Sequence, residues 1–135
     1  MKRKIFCALV VLLFVAPFLG ARAQSSSAQM YITWKAQTYI PPIYTGKTLP
    51  TAGSRVTASV FVVQNGKLLD LSGKTIYWYM NDEFIEGGAN QQTVEFRVPK
   101  EKNDTVAEIM VRLPDTAGGL VNTIDIPIVS PQVAI

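Results

Sequence analysis

Short runs of two-residue alternation, broken about every ten residues by Gly, Pro, Asn or Asp, limit the folds open to this chain more than any other feature. A period of two sends successive side chains to opposite faces of an extended strand. Many such runs with turn residues between them predict an all-β sandwich or barrel. Strands are expected at Met30–Gln37, Val56–Val63, Thr75–Met80, Thr93–Val98, Val106–Leu113 and Thr123–Val129, with a short one at Glu83-Phe84-Ile85. That makes about seven antiparallel strands. No amphipathic helix of useful length and no internal repeat competes with this reading.

The alternation also assigns faces. Val56, Ala58, Val60 and Val62 share one side of their strand, as do Val94, Phe96 and Val98. Ala107, Ile109, Val111 and Leu113 form a third inward set, against Glu108, Met110 and Arg112 outward; Ile124, Ile126 and Ile128 form a fourth. In the pivotal run Thr75–Met80, Ile76, Trp78 and Met80 point one way and Tyr77 and Tyr79 the other. Burial of a large apolar side chain is worth roughly 1.5–3 kcal/mol, so Trp78 is expected inside. Asn65-Gly66 and Asn81-Asp82 are turn dipeptides. Gly87-Gly88 is expected to break the short strand after Ile85 and, like Gly118-Gly119, to serve as hairpin glycines. Pro41-Pro42 ends the first run, because proline cannot donate to a ladder. The stretch Ile43–Ser54 is a long connection with room for a brief edge strand.

The amino terminus carries an address. Lys2, Arg3 and Lys4 precede an apolar run from Ile5 to Leu19, and Ala21-Arg22-Ala23 supplies the small-residue cleavage pattern. This is the layout of a secretory signal peptide over residues 1–23, with cleavage between Ala23 and Gln24. The run is short for a membrane span, and Pro17 interrupts it. Residues 24–29 are expected to form a flexible leader and 30–135 a single domain. Of 13 basic residues, four (Lys2, Arg3, Lys4, Arg22) leave with the peptide, so nine face 10 acidic ones and the mature net charge is −1. The basic balance that would suggest nucleic acid therefore belongs to the discarded segment. The one cysteine, Cys7, leaves too, so the mature chain has no disulfide. Small eukaryotic extracellular domains commonly carry disulfides, which favours a bacterial exported protein, periplasmic or extracellular. Asn103-Asp104-Thr105 is read as a chance glycosylation sequon. No mature run is long and apolar enough to cross a bilayer, whereas an uncleaved leader would tether the domain.

The order of these runs, with Trp78 on the third well-defined strand, resembles the immunoglobulin-like β-sandwich, whose strand-C tryptophan packs between two sheets. The resemblance spans most of Ile32 to Val129. It departs from the antibody type in having no cysteine pair near Val60 and Ile109, and no tyrosine two residues before the second of these positions. What remains is the broader group of Ig-like and PKD-like modules of bacterial exported proteins. The runs GKTLPTAGS and TIYWYMND are similar to segments of small secreted Ig-like proteins. The resemblance implies a neighbouring strand that sets Glu108, Met110 and Arg112 beside Tyr77 and Tyr79, with Asp125 on the last strand.

Catalytic chemistry has little to stand on. Without histidine or cysteine, the mature chain has no Ser-His or Cys-His pair and no ordinary zinc ligand set. Asp82, Glu83 and Glu86 form the one tight acidic cluster, and they read as solvated turn acids. Asn81, Asp82, Asn103, Asp104 and Asp115 could offer oxygens to calcium, but they are scattered without a loop motif. The expectation is a non-enzyme with no cofactor and no metal site. Tyr77, Tyr79, Met110 and Arg112 are the candidate binding face, because Tyr, Met and Arg are enriched in interface cores. The bland alternative is that tyrosine simply suits strands. A protein partner is the first expectation and a carbohydrate, stacked on the same tyrosines, the alternative. Tyr31, Trp34, Tyr39 and Tyr44 form a second aromatic set, expected to cover the edge of the sandwich.

Overall fold

The computed structural model describes residues 27–100, 105–116 and 118–130. The expected signal peptide and its cleavage point lie outside the described residues, as do most of the charged turn around 101–104 and its sequon asparagine. Eight strands form two sheets: β1 (Gln29–Gln37), β2 (Arg55–Gln64), β3 (Lys67–Leu68), β4 (Thr75–Met80), β5 (Glu83–Ala89), β6 (Thr93–Arg97), β7 (Val106–Leu113) and β8 (Leu120–Pro127). All strand pairs are antiparallel, and no helix occurs among the described residues. In the first sheet β1 lies on one side of β2; β6 and the short β3 lie on the other. The second sheet runs β5-β4-β7-β8. Ala28 already packs against the core and Gln29 opens β1.

One apolar cluster fills the space between the sheets, drawn from Val56, Ala58, Val60 and Val62 on β2, Val94 and Phe96 on β6, and Ala107, Ile109, Val111 and Leu113 on β7. These are the alternating sets expected from the sequence. Trp78 and Ile76 sit among them, fully buried. The indole Nε1 donates to the Gln91 carbonyl at 2.7 Å, which satisfies the one polar atom that burying tryptophan brings inside. No side-chain polar atom is left buried without a partner among the described residues.

Turn chemistry explains the connections. Asn65 and Gly66 both have positive φ, as do Asn81 and Asp82, the geometry of tight two-residue hairpins between twisted strands. The Asn65-Gly66 turn leads into β3, a two-residue strand too short to leave an alternation signature. The Ile43–Ser54 connection makes no strand. Its one ladder contact is an isolated parallel bridge, Thr51 to Val129, supported by Val129 N–H donating to the Pro50 carbonyl at 2.9 Å.

Two local expectations need correction. Gly87-Gly88 does not break β5; the strand runs through both glycines to Ala89, and the following turn is made by Asn90, at φ 65°. Gly118-Gly119 does occupy the β7–β8 turn with positive φ. The last strand begins at Leu120 rather than Thr123 and ends at Pro127, beyond which Ile128 is still buried. Polar Asn122 hid that start, since it falls at an inward position opposite Val111. Its Nδ2 donates to the Met30 carbonyl at 2.8 Å, fastening β8 to the edge of β1 across the two sheets.

Candidate functional site

With Trp78 inward, strand parity sends Tyr77 and Tyr79 to the outer face of the second sheet. Register places Tyr77 opposite Arg112 and Tyr79 opposite Met110 on β7. On β8, Val121 lies opposite Arg112, Thr123 opposite Met110 and Asp125 opposite Glu108. The four candidate residues of the binding face are thus neighbours on one surface. Arg112 is exposed, whereas Tyr79 and Met110 are half-buried.

Phe84 belongs with them and was not singled out from the sequence. The β4–β5 register shifts between Trp78 and Tyr79, so Ile85 is an extra residue on β5. That bulge lets Ile85 pack against the core while Phe84 sits opposite Tyr79. The Phe84 ring meets Tyr79 edge-on at 5.8 Å between centroids and 71°, and Tyr77 at 6.5 Å and 57°. Phe84 remains 60% exposed and Val121 57%. Gly87, opposite Tyr77, is where that ring rests; a β-carbon there would overlap it. A glycine in a strand with an aromatic neighbour laid over it is the signal that could have marked this face.

Beside the rings a groove of about 490 Å³ opens to solvent, lined by Tyr77, Tyr79, Arg112, Pro114, Val121 and the Gly118-Gly119 turn. Its shape depends on the β7–β8 loop, which Asp115 pins by accepting the Thr75 N–H at 2.8 Å. Thr75, through hydroxyl and then backbone hydrogen bonds, holds the Asp115 carboxyl below the usual 3.8, with a smaller pull from Lys74. At the other end of the face, Asn81 completes the β4–β7 ladder: its N–H donates to the Glu108 carbonyl and its Oδ1 accepts the Glu108 N–H. The charges are polarised, with Arg112 at the groove end and Glu108 and Asp125 at the other. Among the described residues the only ion pair is Arg55–Glu95 on the first sheet, so none of these three pairs with a described residue.

The acidic cluster does not converge. Asp82 lies in the hairpin turn, Glu83 opens β5 opposite Met80, and Glu86 stands opposite Trp78, beyond the bulge. All three are exposed, and no group of three potential metal ligands occurs among the described residues. Of the calcium candidates, Asn81 and Asp115 spend side-chain oxygens on backbone N–H groups.

The second aromatic set is divided. Trp34 packs partly against the core, and Lys47 Nζ from the following loop covers its ring 3.7 Å from the centroid. Tyr31 projects from the outer face of the first sheet, opposite Phe61. Tyr39 and Tyr44 are exposed in the loop, where they line a shallow groove of about 320 Å³ with Val129. No family model matches the chain, and no curated protein matches it.

Proposed function

We propose that this chain is an exported, non-catalytic module of immunoglobulin-like type that binds a protein through the outer face of β4, β5, β7 and β8. The observation that carries the reading is one surface that groups exposed Tyr77, Phe84 and Val121 with half-buried Tyr79, around an Arg112 that has no ion-pair partner among the described residues. Exposed clusters of aromatic and apolar side chains bordered by charge mark interaction sites, because covering them removes apolar area from water. Strand order supports the immunoglobulin-like reading: β1, β2 and β6 share one sheet, while β5, β4, β7 and β8 share the other. No helix among the described residues is long and apolar enough to cross a membrane.

A protein partner suits this face better than a sugar. Stacking on a sugar needs a flat ring face open to the ligand, whereas Phe84 meets both tyrosines at steep angles of 57° and 71°. Irregular side chains can fill such angles.

The test is photo-crosslinking from Thr123, an exposed outer position on β8, with Thr57 on the first sheet as control. Adducts with a protein from Thr123 and none from Thr57 are expected, and they should vanish in Tyr77→Ser/Tyr79→Ser. Equal adducts from both positions, or binding to a glycan array that the double variant abolishes, would overturn the reading. Intact mass of the exported protein should give a chain beginning at Gln24; one beginning at Met1 would indicate a tethered form.

A further inference from the structure

The charge pattern of the outer face is self-complementary, and we infer that its partner is a second copy of this chain. The inference rests on the protein-binding reading above. Three adjacent outward rows form the centre of the second sheet's outer face. The first holds Tyr77, Arg112 and Val121; the second Phe84, Tyr79, Met110 and Thr123; the third Glu108 and Asp125. Arg112 and Glu108 lie on β7 at equal distances on either side of Met110, roughly 13 Å apart along the strand. A two-fold axis in the plane of the interface, running across the strands at the middle row, exchanges the first and third rows. Phe84, Tyr79 and Met110 then meet their own counterparts, and each Arg112 meets the other copy's Glu108.

The isolated chain leaves this pattern unresolved. Glu108 and Asp125 face each other directly across β7 and β8, and like charges so placed are destabilising. No cation pairs with either among the described residues, and no acid pairs with Arg112. Stacking two copies supplies a guanidinium to each carboxylate pair and covers Phe84 in the same step. A two-fold axis running along β7 instead would keep the rows unreversed and set Arg112 on Arg112 and Glu108 on Glu108, which like-charge repulsion disfavours. The face measures roughly 20 Å by 20 Å per copy, from four strands and three rows. That is below the area of standard interfaces, which places the dimer in the weak, concentration-dependent class.

Sedimentation of the exported domain over rising concentration tests this directly. The wild type should shift from monomer to dimer. Arg112→Glu sets Glu against Glu, and Glu108→Arg sets Arg against Arg; each should weaken association at least tenfold. Both positions are exposed, and a thermal melt close to wild type confirms that each variant is folded. The Glu108→Arg/Arg112→Glu double variant should recover the dimer. An equimolar mixture of the two single variants should also form a heterodimer, since both cross-pairs are then opposite in sign. A wild type that stays monomeric, or a mixture that does not associate, overturns the inference. If Thr123 then crosslinks a different protein, the docking face stands and only its occupant changes; if it crosslinks nothing, both readings fall.

Discussion

The ring of Tyr77 lies over Gly87 across the β4–β5 pair, so close that a β-carbon at position 87 would overlap it. This one contact explains why β5 carries glycine at position 87, while Gly88 is suited to its φ of 147°. Gly87→Ala should force the ring out of its seat. Overpacking of this kind costs about 1–3 kcal/mol. In a Tyr77→Ala background the same substitution should lose most of its effect, as denaturant midpoints of the four variants would show.

Trp78 holds the opposite side of the same strand. It is fully buried, and its indole N–H is bonded to the Gln91 carbonyl. Trp78→Ala should destabilise the domain by about 3–5 kcal/mol, a large share of the roughly 5–15 kcal/mol available to a domain of this kind. Trp78→Phe, which loses the hydrogen bond and part of the volume, should fall between. Equilibrium unfolding in urea measures both, and a Trp78→Ala midpoint equal to wild type would refute the packing.

Acid should weaken two loops, of which the β7–β8 loop borders the groove. Ser72 donates its hydroxyl and its N–H to Asp70, at 2.6 and 2.9 Å, and lowers that carboxyl. Asp115 is lowered by Thr75. A carboxyl lowered in the folded state stabilises it above the ordinary value of 3.8, and that contribution is lost as pH falls through the folded value. Stability should therefore decline below a pH of about 4. Asp70→Asn/Asp115→Asn should flatten that acid limb while leaving its slope near neutrality unchanged, as read from urea midpoints against pH.

How far the sequence reaches follows from what each residue reports. Val56–Val62, Val94–Phe96 and Ala107–Leu113 alternate cleanly because one sheet face is buried and the other wet, so their burial was legible. Thr75–Met80 was bounded on both sides by turn residues, and the structure keeps those limits. Three features were not legible, each because a distant partner compensates a local defect. Gly87 is a poor strand residue until Tyr77 covers it. Asn122 looks outward until the Met30 carbonyl accepts its amide. Phe84 reads as one residue of a short apolar run until the bulge at Ile85 decides which of the two turns inward. Of the candidate face, Tyr77 and Tyr79 followed from parity alone, whereas their pairing with Arg112 and Met110 depended on which strand lies beside them.

The outer face of β4, β5, β7 and β8 is the working surface in this account, and hydroxyl-radical footprinting compares it with an internal reference. Tyr31 and Phe61, 49% and 42% exposed on the outer face of the first sheet, supply that reference. Tyr77, Tyr79, Phe84 and Met110 should be labelled in dilute purified domain and protected in intact cells that express the protein, while Tyr31 and Phe61 label equally in both. Equal labelling of the two faces in both settings would contradict the account.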